Sequence, residues 1–355
     1  MSSTNGSQRL DREAIAKVDT SDLLADVLAI PEHLRDALWK VESAGLDPWD
    51  STDGLVVAGM GGSAIGGRLS RAILGDHASR PSLGARAYGL PPWTTHDTTV
   101  LCASYSGDTE ETLACFEAAG VIGARRVVVT SGGRLAEMAR SEGVPVLPVA
   151  GGFQPRAAVA YMTVAVLEVA ALCGVSSRLN SEIDVAADHL EALVEEWGPE
   201  GAEDNLAKGL ARRLHGTVPV IAGAGLTTPI AYRWKTQVNE NAKMPAYALE
   251  LPELDHNEIE GWGSAADHGR FSAVFLDDAD THPRVRERID ITAEVIAPGA
   301  ANVLRAESRG QTAVERVFSL VLLGDLVSLY LAVLRGVDPE PVALIGQLKE
   351  QLARD

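Results

Sequence analysis

The chain is poor in the residue types that would tie it to a metal, a membrane or nucleic acid. It has three cysteines, Cys102, Cys115 and Cys173, in 355 residues. They cannot all pair and none has metal-ligand spacing, so they read as reduced core residues of a cytoplasmic protein. Of the eight histidines no pair has H-E-x-x-H or similar spacing, and His256 and His268 are too far apart to share one helical face. The expectation is no metal and no other cofactor. Basic residues are outnumbered, 31 Lys and Arg against 49 Asp and Glu, for a net charge of −18. Nucleic acid and acidic membrane surfaces both demand clustered Lys and Arg, so neither is expected as a partner. No uncharged apolar run approaches the ~20 residues that span a bilayer. Residues 1–11 are polar, without the apolar centre of a signal peptide. Aromatics are few, at 5%. Alanine, glycine and valine dominate instead, the set that lets parallel sheets pack closely against helices.

Two stretches in the first half carry the strongest chemical signal. Leu55-Val56-Val57-Ala58-Gly59-Met60-Gly61-Gly62-Ser63 and Val100-Leu101-Cys102-Ala103-Ser104-Tyr105-Ser106-Gly107-Asp108-Thr109 each pass from an apolar run into tiny and hydroxylated residues. Each reads as a buried parallel strand feeding a helix N-terminus. Unpaired N–H groups and the positive dipole end at such a junction suit a phosphate. One Ser or Thr would suffice as a helix cap, whereas the second turn carries Ser104, Ser106 and Thr109. Asp108, Glu110 and Glu111 suit a first helical turn but would repel a phosphate, so their side chains have to point away. Gly59-x-Gly61-x-x-Ala64 also fits a dinucleotide fingerprint. That reading needs a strand ending in an acid ~20 residues on. Residues 76–81 supply none, which counts against a nicotinamide-dependent oxidoreductase.

Strands are expected at 55–58, 85–88, 98–103, 126–130 and 145–149, then at 218–222, 247–250, 272–276 and 302–304. Two short helical patterns, broken at Pro31, precede the first block. Helices are expected at 156–173, 312–334 and 339–352, and 176–205 reads as an acidic helical connection. Alternating β and α segments imply an α/β chain with parallel sheets covered on both faces. Val56-Val57-Ala58-Gly59-Met60-Gly61-Gly62-Ser63 aligns with Val220-Ile221-Ala222-Gly223-Ala224-Gly225-Leu226-Thr227, which suggests a tandem duplication. Leu226 in place of Gly62 makes close approach to an anion less suited to the second copy. The expected division is a polar tail at 1–20, a phosphate-binding domain at 21–180 and a second domain at 181–355.

The set G-M-G-G-S, S-Y-S-G-D-T, Thr130-Ser131-Gly132-Gly133 and Gln154-Pro155-Arg156 resembles the sugar isomerase (SIS) domain family. Lys235-Thr236-Gln237-Val238-Asn239-Glu240-Asn241-Ala242-Lys243, Asp255-His256-Asn257-Glu258-Ile259-Glu260-Gly261-Trp262 and the C-terminal Leu323-Gly324-Asp325 to Lys349 resemble its bifunctional phosphoglucose/phosphomannose isomerases. The resemblance runs from about residue 50 to the end. It implies two flavodoxin-like, doubly wound domains and metal-independent conversion of aldose 6-phosphates to fructose 6-phosphate through a cis-enediol, a step of glycolysis and gluconeogenesis. By the same resemblance Gly61, Gly62, Ser63, Ser104, Ser106 and Thr109 hold the phosphate, and Arg156 sits beside the substrate. Glu240 moves the proton between C1 and C2. His256 assists ring opening from the neighbouring subunit of a homodimer, and Lys349 works with it. Asp108 departs from the family, which more often has Asn.

The chemistry is consistent with these residue types. One carboxylate can both remove and return a proton α to a carbonyl when burial raises its pKa. Arg156 or Lys349 can offset developing enediolate charge, and imidazole titrates in the range that ring opening needs. Taken alone, Glu240 would read as an exposed helix-end glutamate, His256 as a loop histidine and Lys349 as a solvent-facing lysine. A phosphosugar-binding regulator without turnover is the alternative function.

Overall fold

The computed structural model describes residues 8–352; part of the expected polar tail, residues 1–7, lies outside them. Nine strands form two parallel sheets among the described residues. The front sheet contains β1 (Leu55–Ala58), β2 (Ser82–Ala85), β3 (Thr99–Ala103), β4 (Arg125–Thr130) and β5 (Val146–Pro148), in the order β2-β1-β3-β4-β5. The rear sheet contains β6 (Val218–Ala224), β7 (Tyr247–Leu251), β8 (Phe271–Asp277) and β9 (Asn302–Glu307), in the order β7-β6-β8-β9. β1 and β3 are buried at every position, which accounts for their unbroken apolar runs. This is the expected α/β architecture of two doubly wound sheets.

The rear sheet repeats the order of the first four front strands and has no fifth among the described residues. The aligned turns also share a backbone course. Gly61 and Gly225 both adopt left-handed φ, +50° and +54°. A Cβ on Gly59 would lie 2.8 Å from the Ala103 carbonyl oxygen, and one on Gly223 would lie 2.5 Å from that of Thr227.

Several boundaries differ from the sequence reading. The strand expected at 85–88 is β2, which runs over 82–85 instead; it is an edge strand buried only at Ala85, so no apolar run marks it. Helix Ile30–Ser43 carries Pro31 in its first turn, where a missing N–H costs nothing. Pro31 therefore opens a helix. Helix Asn180–Trp197 is more than a connection, because Ile183, Ala186, Leu190, Leu193 and Trp197 bury one face while its acids line the other. Residues 8–20 include helix Arg12–Ala16, with Leu10 and Ile15 sunk in the core, so this part of the expected tail is anchored. The last helix spans Ala343–Leu352, not 339–352.

Helix Ala313–Arg335 is the axle of the molecule. It is long and apolar enough to cross a membrane, yet every residue from 314 to 333 is buried inside the protein. It packs against helices Thr228–Asn241, Asn180–Trp197 and Leu206–Leu214. A helix covered on all sides needs no polar face. Gly324 is required there, since a Cβ would fall 2.2 Å from the Trp234 indole nitrogen.

Candidate active site

The turns after β1 and β3 meet at the C-terminal edge of the front sheet. Helices Gly61–Leu74 and Glu110–Ile122 both start without a side-chain cap, which leaves first-turn N–H groups free for an anion. Thr109 stands at the N-cap position, but its hydroxyl bonds Ser104 Oγ at 2.8 Å. Ser104 Oγ accepts from Gly107 N (3.1 Å) and Ser106 Oγ from Asp108 N (3.3 Å). Ser63 and Ser104 are buried, and Gly61 and Ser106 are exposed. Gly107, at φ +75°, has no room for a side chain: a Cβ would lie 1.9 Å from the Gly132 carbonyl oxygen. Two of the three acids, Asp108 and Glu110, are engaged away from the turn. Asp108 Oδ1 accepts from Arg134 N (3.0 Å) at the start of helix Gly133–Ser141, and Glu110 accepts from the Tyr88 hydroxyl.

Tyr105 ties four loops together, a role the sequence reading missed. Its N–H donates to Ser63 Oγ (3.1 Å), its carbonyl accepts from Ser131 Oγ (2.6 Å), and its hydroxyl accepts from Phe153 N (2.8 Å). The loops after β1, β3, β4 and β5 are thus held through one residue.

The loop after β5 then delivers Arg156 to the junction of the two halves. Gly62 lies directly against it, with a would-be Cβ 2.9 Å from the Pro155 carbonyl oxygen. The Arg156 guanidinium is buried, with Nε donating to Asn241 Oδ1 (2.7 Å) and Nη2 to the carbonyls of Pro339 (2.8 Å) and Glu340 (3.1 Å). Its Nη1 is the less engaged end, 3.4 Å from Gln154 Oε1 and 3.5 Å from Glu240 Oε2. Burial lowers the pKa of Arg156, and Glu240 and then Glu340 oppose that shift. Glu240 comes from the end of helix Thr228–Asn241, and its side chain stays 31% exposed. Lys243 donates to the Glu240 and Pro339 carbonyls; burial lowers its pKa, and Arg156 adds to that.

A buried pair supports this arrangement from behind. Arg233 grips Asp325 at 3.1 and 2.6 Å and donates to the Arg156 carbonyl at 3.0 Å. Burial raises the Asp325 carboxyl, with Arg233 opposing. Asn241 Nδ2 reaches Ser328 Oγ on the same axle helix (2.8 Å). The signal for Asp325 was present in the sequence: a charged residue inside an otherwise apolar helix needs a buried partner.

The chain by itself brings Glu240 and Arg156 to the phosphate-type loops, and does not bring His256 or Lys349. His256 lies exposed in the turn Glu253–His256 after β7, and Lys349 is exposed on helix Ala343–Leu352. Among the described residues no hydrogen bond or ion pair joins either side chain to Glu240. Helix Ala343–Leu352 has no buried residue and presents Leu344, Ile345, Leu348 and Leu352 to solvent. Among the described residues no three His, Cys, Asp or Glu side chains converge as a metal-holding group.

Comparison with known proteins gives a consistent picture. Residues 203–352 match the family model for the bacterial phospho-glucose isomerase C-terminal SIS domain. A bifunctional phosphoglucose/phosphomannose isomerase of Caldicellulosiruptor bescii is 39% identical, over 93% of this chain and 99% of that protein. The bifunctional phosphoglucose/phosphomannose isomerase of Aquifex aeolicus is 37% identical, over 89% of this chain and 94% of its own length. Among solved structures, a hypothetical protein from Thermus thermophilus superposes with a TM-score of 0.72 at 16% identity, over 97% of this chain and 93% of that one, a likeness of fold.

Proposed function

The chain belongs to the bifunctional phosphoglucose/phosphomannose isomerase family, and from that premise we propose that it interconverts fructose 6-phosphate with glucose 6-phosphate, mannose 6-phosphate or both. One observation carries the reading. The Glu240 carboxylate, from the rear half, stands 3.5 Å from Arg156, whose loop lies against Gly62 of the front turn. A base and a cation therefore flank the space beside a phosphate seat.

The substrate phosphate sits on the uncapped helix starts at Gly61 and Gly62, with the hydroxyls of Ser63, Ser104, Ser106 and Thr109 as donors. Glu240 takes the proton from C2 of the open-chain aldose and returns it to C1, while O1 gains a proton and O2 loses one. Nothing is consumed, and no metal is needed for charge that Arg156 Nη1 offsets in the cis-enediol. His256 and Lys349 serve ring opening from a second copy of the chain in a homodimer. The exposed positions of both residues, and the bare apolar face of helix Ala343–Leu352, support that assembly. We assign phosphate binding to residues 21–180 and the base to residues 181–355, in a cytoplasmic enzyme serving glycolysis and gluconeogenesis. A regulator without turnover gains no support from relatives that carry isomerase names.

The test is a coupled assay with each aldose 6-phosphate, with and without EDTA. Activity should survive the chelator, and Glu240→Gln should lower kcat by about 10²–10⁴-fold. Full activity in that variant would overturn the assignment of the base.

A further inference from the structure

Away from this site, three arginines of an acidic chain face one cleft. Arg68 and Arg71 stand on helix Gly61–Leu74, and Arg86 follows edge strand β2; together they line two adjoining hollows of about 50 and 350 Å³. The opposite wall is Gly225, Thr228 and Pro229, with Glu250 of edge strand β7. The Arg68 guanidinium is set in place 4.1 Å over the Tyr232 ring, and the Lys235 ammonium lies 4.8 Å from the same ring. Among the described side chains, no ion pair neutralises Arg68, Arg71 or Arg86, although the acids of this chain outnumber its bases by 49 to 31.

We propose that this cleft is a second anion site, for a small molecule carrying a diphosphate or longer phosphate chain. Gathered like charges raise the free energy of the empty cleft, and an anion relieves them. Guanidinium forks match phosphate oxygens in pairs, which a scatter of lysines does not. The far wall adds no helix-start donors, because the Thr228 N–H already donates to the Gly225 carbonyl and Pro229 has none, so the guanidiniums carry the site. A single phosphate has too little charge for three guanidiniums opposed, among the described residues of the lining, by Glu250 alone. The larger hollow falls within the ~300–1,000 Å³ typical of small-molecule sites. Arg68 and Arg71 lie about two and three turns beyond Gly61, so this is a different place from the proposed substrate seat.

The probe is inorganic pyrophosphate, titrated calorimetrically into the full chain with and without saturating fructose 6-phosphate. Binding should persist when fructose 6-phosphate is present. It should weaken by about tenfold or more in Arg71→Ala/Arg86→Ala, as expected for lost charge-assisted contacts. Glu250→Gln should tighten it, and isomerase activity should be unchanged in all of these variants. Pyrophosphate that is displaced by fructose 6-phosphate, or that binds the double variant as well as the parent, overturns the proposal. So does a double variant that alters sedimentation while the parent binds no pyrophosphate, because the arginines would then face a second copy.

Discussion

Replacing Asp325 by leucine tests whether the buried pair behind Arg156 holds the fold and the site separately. Arg233 and Asp325 are only 2% and 3% exposed, and two bonds of 3.1 and 2.6 Å join them. Without Asp325 the guanidinium keeps the Arg156 carbonyl, at 3.0 Å, and few other acceptors for its five N–H groups. Two charge-assisted hydrogen bonds at about 1.5–3 kcal/mol each set the scale of the loss. Stranding a buried charge costs about 3–5 kcal/mol, which overlaps that range. Asp325→Leu should therefore lose about 3–5 kcal/mol in urea unfolding followed by tryptophan fluorescence. The double variant Arg233→Met/Asp325→Leu removes both charges at similar volume and should recover most of that stability. It also removes the bond to the Arg156 carbonyl, so its kcat for fructose 6-phosphate should stay depressed after stability returns. A loss below about 1 kcal/mol in Asp325→Leu, against the 3–5 expected, would refute the reasoning. A double variant less stable than the single one would refute it as well.

Three further outcomes follow from single contacts. Gly62→Ala pushes a Cβ to 2.9 Å from the Pro155 carbonyl oxygen and 3.3 Å from Arg156 Cα, both backbone, so stability should fall by about 1–3 kcal/mol and kcat with it. Gly61→Ala meets nothing within 4 Å and carries only the strain of φ +50°; a kinetic loss equal to that of Gly62→Ala would show that the Arg156 loop is not what matters. Tyr105→Phe deletes the bond to Phe153 N and should cost about 0.5–1.5 kcal/mol while lowering kcat/KM, because the Arg156 loop loses its tie to the phosphate turn. Wild-type kcat/KM would remove Tyr105 from that role. Asp26 is held at about 6 by burial first, then by Asp22 and Asp19. Its folded pKa lies above the ordinary 3.8, so its contribution to stability is full below that value and is lost as pH rises through about 6. Asp26→Asn should then melt above the parent at pH 8 and close to it at pH 4; a lower melting point at pH 8 would reverse the sign.

The two turns at Gly61 and Ser104 were legible because their chemistry is local: a buried strand, small residues and a helix start lie in consecutive positions. The repeat of the strand–turn–helix unit was legible for the same reason, since Gly61 and Gly225 share one backbone requirement. β2 was misplaced because an edge strand with one buried residue has no apolar run to find. The anchoring of residues 8–20 escaped notice because Leu10, Ile15 and Val18 are its only large apolar residues, too few to mark an apolar face.

Local sequence determined most of the strands and the two strand-to-helix turns at Gly61 and Ser104, because each of these depends on neighbours within a few positions. It also determined that Asp325 needed a partner, since charge inside an apolar helix cannot stand alone. Only the tertiary structure decided that the partner is Arg233, that Asp108 turns to helix Gly133–Ser141, and that Glu240 meets Arg156 from 84 residues away. Those pairings depend on how two sheets and one buried helix pack against each other, and packing geometry between distant segments leaves no periodic trace in the chain.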